Sequence, residues 1–175
     1  MAIPWFPLTV QFQGAASVTY ANASASTAVS IFAAVRTQLF LPANQSLQVR
    51  IQSARIWGPL VAMNAATTLQ PLRVRFHALN PTPTADAIPA VLEDVIAYPD
   101  QVSRASLGFV WPKAQQSLAL DSSFNSQIPF IQVAGTPVPG TLFYVRVLFR
   151  TFSPGFTSTE SDGFVVPTST TGWFS

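Results

Sequence analysis

The sequence predicts an all-β fold: an eight-stranded antiparallel jelly-roll sandwich with one short helix in an early connection. Three observations predict it. Apolar and polar residues alternate with period two through most of the chain, the pattern of half-buried strands. Proline accounts for 15 of 175 residues. Because it fixes φ and cannot donate to a strand ladder, it cuts the alternating runs into short segments. These segments are evenly spaced and number roughly eight, which favours a jelly roll over a seven-stranded immunoglobulin type. No unit of about 20–50 residues repeats, so solenoids and propellers are excluded.

Leu8–Gln13 reads as the first strand, with Leu8, Val10 and Phe12 on one face. Ser17–Tyr20 is the second, with Val18 and Tyr20 alternating with Ser17 and Thr19. Thr27–Leu41 is the one helix. Ser26 or Thr27 can cap it, Phe32, Val35 and Leu39 recur at helical spacing near Ala28 and Ile31, and Pro42 ends it. Ser46–Trp57 is a long strand with Leu47, Val49 and Ile51 on one face and Gln48, Arg50 and Gln52 on the other. Ile56 falls on the wrong parity, which predicts a bulge near Ser53 or Ala54. Leu72–Leu79 sets Leu72, Val74, Phe76 and Ala78 against Arg73, Arg75 and His77. Val91–Tyr98 reads either as a strand or as a helical turn. Arg104–Trp111, Ser117–Leu120 and Ile128–Val133 are shorter strands. Leu142–Phe152 is the strongest: Phe143, Val145, Val147 and Phe149 face inward, and Tyr144, Arg146, Leu148 and Arg150 face outward. Residues 1–152 therefore form one domain. Residues 153–175 are rich in Ser, Thr and Gly yet carry Phe156, Phe164, Trp173 and Phe174. They read as a segment that docks on the domain or on a neighbouring subunit.

The charge content bounds the function. Charged residues make up 9% of the chain, against about 25% in an average soluble domain. A folded surface so poor in charge is ill suited to standing alone in water. Burial of much of it against other copies is the expectation. Apolar residues are 49%, which argues against a disordered chain. The longest apolar stretch, Ala28–Leu41, contains Arg36 and Gln38 and falls short of the roughly 20 residues of a membrane span, so no membrane association is expected. Met1–Phe12 lacks the basic start of a secretory signal. Cysteine is absent, which removes disulfides and thiolate metal sites.

Catalytic motifs are missing too. The single histidine, His77, has no carboxylate near it in sequence with which to bind a metal, and no nucleophile elbow accompanies it. It reads as a polar-face residue at an interface or beside solvent. No phosphate-binding glycine loop occurs. Glu93–Asp94 and the pair Glu160 and Asp162 are the acidic clusters, weak candidates for calcium, and neither has the spacing of an EF-hand loop. No enzyme activity and no cofactor are expected. The arginines are more informative. Arg50, Arg73, Arg75, Arg146 and Arg150 lie on the polar face of strands whose other face is core, and pairing of those strands can gather several into one basic patch. The guanidinium fork suits phosphate, so these five are the candidate nucleic-acid contacts.

The segments Leu47-Gln-Val-Arg-Ile-Gln-Ser-Ala-Arg-Ile-Trp-Gly-Pro59, Leu107-Gly-Phe-Val-Trp-Pro112 and Phe143-Tyr-Val-Arg-Val-Leu-Phe-Arg150 resemble strands of single jelly-roll coat proteins. These are the capsid proteins of small icosahedral viruses: tombusvirus-like and satellite-virus-like RNA viruses, and small circular single-stranded DNA viruses including cruciviruses. The resemblance covers roughly Leu8 to Phe152 and rests on strand order, the early helix and Trp-Pro strand ends. It implies a shell subunit of the virion that assembles from about 60 copies or a multiple around viral RNA or single-stranded DNA. Trp57, Trp111, Phe164, Trp173 and Phe174 are then the candidate subunit contacts. One departure stands out. Such proteins usually begin with an Arg/Lys-rich arm, and residues 1–35 here hold no basic residue, which leaves the strand arginines as the local candidates. The alternative is a lectin-like or trimeric jelly-roll binding module, whose aromatic residues stack on sugars or peptides.

Overall fold

The computed structural model describes residues 3–20, 27–59, 71–79, 89–99, 103–122, 128–134 and 140–152. In chain order the elements are β1 (Phe6–Gln13), β2 (Ser17–Thr19), β3 (Ala28–Ser30), α1 (Ile31–Gln38), β4 (Ser46–Trp57), β5 (Leu72–His77), β6 (Val91–Ala97), β7 (Ser106–Val110), α2 (Lys113–Gln116), β8 (Leu120–Asp121), β9 (Pro129–Val133) and β10 (Leu142–Phe152). The chain is mostly β. No helix of the described residues is long and apolar enough to cross a membrane.

Two sheets form. The first has the order β1-β10-β4-β7, with β8 beside the early part of β4; the second has the order β3-β2-β9-β5-β6. Apart from the parallel β2–β3 pair, every pairing is antiparallel. The pairs are nested along the chain. The first strand joins the last (β1 with β10), β2 joins β9, β4 joins β7, and β5 joins β6 at the centre.

Strand alternation makes the core. Val10, Val49, Ile51, Ile56, Phe143, Val145 and Val147 point inward from the first sheet, and Val18, Val74, Phe76 and Ile131 from the second, all fully buried. Burying each such side chain contributes roughly 1.5–3 kcal/mol relative to exposure. Aromatic contacts join the layers: Phe76 of β5 stacks on Phe109 of β7 with centroids 4.7 Å apart, and Trp111 meets both rings edge-on.

The bulge expected near Ser53 or Ala54 lies just before them. Val147 faces Ile51 while Arg146 faces Ser53, so Gln52 has no register partner on β10. Its carbonyl instead accepts from the Trp111 N–H, and its side-chain amide donates to the Gln116 carbonyl. The extra residue resets the parity. Ala54 and Ile56 turn inward, and Arg55 turns out to solvent.

The described residues form ten strands and two short helices where the sequence predicts eight and one, and three further expectations need correction. The helix begins at Ile31, because Ala28–Ser30 pairs with β2 as a strand. The cap is Ser30, not Ser26 or Thr27: its Oγ accepts from Ala33 N–H and donates to the Tyr20 carbonyl at 2.7 Å. Ser117–Leu120 is not a strand. Pro112, with φ −55°, opens the turn of α2, and only Leu120 and Asp121 join the β4 ladder as strand. Val91–Tyr98 resolves as a strand, since β6 finds a partner in β5. The docking expectation for residues 153–175 lies outside the described residues, as do Glu160, Asp162, Phe164, Trp173 and Phe174.

Helix α1 also shields a sheet edge. The Gln38 side chain accepts from Gln11 N–H at 2.9 Å and donates to the Thr9 carbonyl at 2.6 Å. One amide thus occupies two backbone groups at the middle of the β1 edge, where another strand would add. Past the helix, Phe40 adopts φ 56°, a conformation that costs a side-chain-bearing residue roughly 1–2 kcal/mol.

Candidate nucleic-acid interface

The five arginines do not form one patch. Arg50, Arg146 and Arg150 stand on β4 and β10 of the first sheet, whereas Arg73 and Arg75 stand on β5 of the second. Each points away from the shared core, so the two groups occupy opposite outer faces of the sandwich. Strand pairing thus gathers three of the five on one face, and Arg73 and Arg75 fall elsewhere because strands of like pattern belong to different layers.

On the first face the arginines lie on tryptophan. The Arg50 Cζ sits 4.2 Å from the centre of the Trp5 ring system and the Arg150 Cζ 4.5 Å from it, so two guanidinium groups share one indole. Arg150 Nε donates to Gln48 Oε1 at 2.8 Å, and a longer bond of 3.4 Å runs from its Nη1 to the Ile3 carbonyl. Arg55 lies over Trp57 at 4.9 Å. Arg146 is exposed between Thr9 and Ser53 in the register. None of these four arginines has a carboxylate within 4.0 Å among the described residues. Burial lowers the pKa of Arg150, and the neighbouring charge of Arg50 adds to that shift. Arg50 Nε is buried with no acceptor among the described residues. Like charges are thus held close on this face with no carboxylate beside them among the described residues.

On the second face two arginines share one carboxylate. Arg73 grips Asp94 with two bonds, Nε to Oδ1 at 2.9 Å and Nη2 to Oδ2 at 2.7 Å, and Arg75 Nε reaches Oδ2 at 3.3 Å. The hydrogen bond from Arg73, opposed by desolvation and assisted by Arg75, brings the Asp94 carboxyl to about 2. Asp94 sits directly opposite Arg75 in the ladder. A phosphate here competes with a carboxylate in place. The same contacts weaken the Glu93–Asp94 calcium candidate, because guanidinium groups occupy the Asp94 oxygens. Among the described residues no three His, Cys, Asp or Glu side chains converge.

Two aromatic expectations separate as well. Trp57 is half-buried beneath Arg55 on the outer face. Trp111 is only 1% exposed, packed among Phe76, Phe109 and Phe130, and its indole N–H donates to the His77 carbonyl at 3.0 Å. It is a core residue, not a subunit contact. His77 is also interior, at 2% exposure. Its Nδ1 lies 3.0 Å from the Pro89 carbonyl and its Nε2 2.9 Å from Gln132 Oε1, so the ring ties β5 to β9 and to the segment just before β6.

Arg55 and Trp5 were missed as site residues. The bulge inferred from Ile56 carries the signal for Arg55, since the same parity change that turns Ile56 inward turns Arg55 outward. Trp5 precedes the first alternating run, and only the fold brings it beneath two arginines of distant strands.

No family model matches this chain, and no curated protein matches it. Among solved structures, one similar chain comes from work titled "Bacillus endospore appendages form a novel family of disulfide-linked pili". It is 12% identical, with 87% of this chain and 90% of that chain covered at a TM-score of 0.35. Likeness at that level supports no conclusion about function.

Proposed function

We propose that this chain is a structural coat subunit with a jelly-roll fold, which self-assembles into an icosahedral shell around viral nucleic acid. The nested pairing carries the reading. Four antiparallel couples, β1–β10, β2–β9, β4–β7 and β5–β6, are what results when one long hairpin is rolled into two facing sheets, and jelly rolls of this kind build capsid and lectin domains. The 9% charge content favours the capsid branch, since a shell subunit buries its flanks against copies of itself. In this reading the role is structural, without a catalytic step, and the shell takes about 60 copies or a multiple.

The first-sheet face faces the nucleic acid, and Arg50, Arg55, Arg146 and Arg150 replace the five-residue set suggested by alternation alone. Arginine on aromatic shelves suits single-stranded RNA or DNA, which offers phosphates and stacking bases together. Electron microscopy of the purified protein, with size-exclusion chromatography across concentrations, tests the reading. Closed, uniform particles are expected. An 18.9 kDa species that stays monomeric at high concentration overturns it. A monomer or trimer that binds a glycan array instead identifies the binding-module alternative.

A further inference from the structure

Helix α1 ends in a closing turn whose third residue is normally glycine. The Leu41 N–H donates to the Arg36 carbonyl at 2.8 Å and the Phe40 N–H to the Thr37 carbonyl at 3.3 Å. These are the two bonds of a Schellman motif, with Phe40 in its left-handed position. Phe40 has φ 56° and is 95% exposed. The chain thus places a large apolar ring, at a backbone cost, where it touches almost nothing of its own subunit. Strain of this kind points to a role outside the subunit's folding.

The same helix offers a receptor. An open groove of about 650 Å³ runs along α1, with Phe12, Val29, Ala33, Ala34 and Thr37 among its walls. It is mainly apolar, has small side chains along the helix, and takes a phenyl ring with space to spare. The groove runs the length of α1 as far as Gln38, and Phe40 follows just past the helix end, three residues beyond Thr37. We infer that α1 is a two-fold contact between copies of this chain, in which Phe40 of each copy enters the α1 groove of the other.

Adjacency selects a second copy as the occupant. A patch that holds both a knob and its hole is self-complementary, and a two-fold axis across the end of α1 satisfies both at once. Charge agrees. Such an axis brings like residues together, and residues 27–45 carry a single charge, Arg36, whose Nε is turned to the Gln45 carbonyl at 2.9 Å. Gln38 holds the Gln11 N–H and the Thr9 carbonyl of the β1 edge beside the groove, so the inferred contact is one of side chains. This inference rests on the self-assembly reading and deepens it by naming one of the contacts.

Sedimentation velocity of wild type, Phe40→Gly and Ala34→Glu across concentrations tests it, with thermal unfolding alongside. Phe40→Gly relieves the backbone and is expected to melt higher as a monomer, yet to associate about 30-fold more weakly, as for loss of an interface anchor. Ala34→Glu, which blocks the groove, is expected to weaken association similarly. Mixed, the two variants regain one intact contact and associate better than either alone. Association unchanged by Phe40→Gly, or no gain on mixing, overturns the contact while leaving the assembly reading intact. Wild type that remains monomeric throughout overturns both.

Discussion

The two outer faces of this sandwich begin from the same sequence pattern and end in different chemistry. Each displays arginines at alternate positions of a strand whose other side is core: Arg73 and Arg75 on β5, Arg146 and Arg150 on β10. On the second sheet the neighbouring strand places Asp94 opposite Arg75, and the charges close on themselves. On the first sheet the neighbours of Arg150 are Gln48 and Trp5, and none of its arginines meets a carboxylate among the described residues. What decides whether an outward arginine is paired within the chain is which residues the adjacent strand sets opposite or diagonal to it, a property of the pairing and not of the strand.

The largest effect is expected from removing the shared cations of the first face. Arg50→Ala with Arg150→Ala should lower affinity for a single-stranded oligonucleotide on the order of 100-fold, as for loss of two charge-assisted contacts. The slope of log affinity against log salt should shrink by about 1.4. Arg73→Ala with Arg75→Ala should change both little. Fluorescence anisotropy at two salt concentrations measures the difference. A larger loss from the second pair would reverse the assignment of the faces.

Legibility in the sequence follows the same division. Residues 142–147 and most of Ser46–Trp57 are readable from alternation, because one face is buried, and even the bulge shows as the broken parity of Ile56. Beyond Val147 the pattern fades, with Phe149 half-buried and Phe152, on the outward parity, buried, as is Gln48 on β4. The helix start is not readable: Ala28-Val-Ser30 becomes strand only because β2 lies alongside it. Nor is the grouping of arginines, which depends on which layer each strand joins. Trp111 follows β7 before a proline and looks like an exposed strand end, yet the facing Phe76 and Phe130 draw it into the core.

A smaller effect is expected at Trp5. The indole keeps two like-charged guanidinium groups on one surface, each contact contributing about 0.5–1 kcal/mol where exposed. Trp5→Ala should leave both charges but free their side chains, weakening oligonucleotide binding roughly three- to tenfold. The salt slope should hardly move, since no charge is lost. A slope reduced as far as in the double arginine variant would mean that Trp5 organises the whole face and does not simply support two of its residues.

The smallest effect is also the sharpest test of the contrast. Asp94→Asn should release Arg73 and Arg75 and turn the second face into a weak anion site, raising oligonucleotide binding about two- to threefold through surface charge alone. The same variant carries a pH signature. The Asp94 carboxyl titrates at about 2 in the folded chain against an ordinary 3.8. A depressed carboxylate lends its stabilisation fully above the unfolded value and loses it as pH falls through the folded one. Wild type should therefore lose this contribution between about pH 4 and pH 2, and Asp94→Asn should lack that part of the acid limb. Thermal unfolding across that range reads it directly. If the two curves run parallel down to pH 2 and binding is unchanged, the ion pair does not set the character of the second face. The difference between the faces would then rest on the tryptophans of the first.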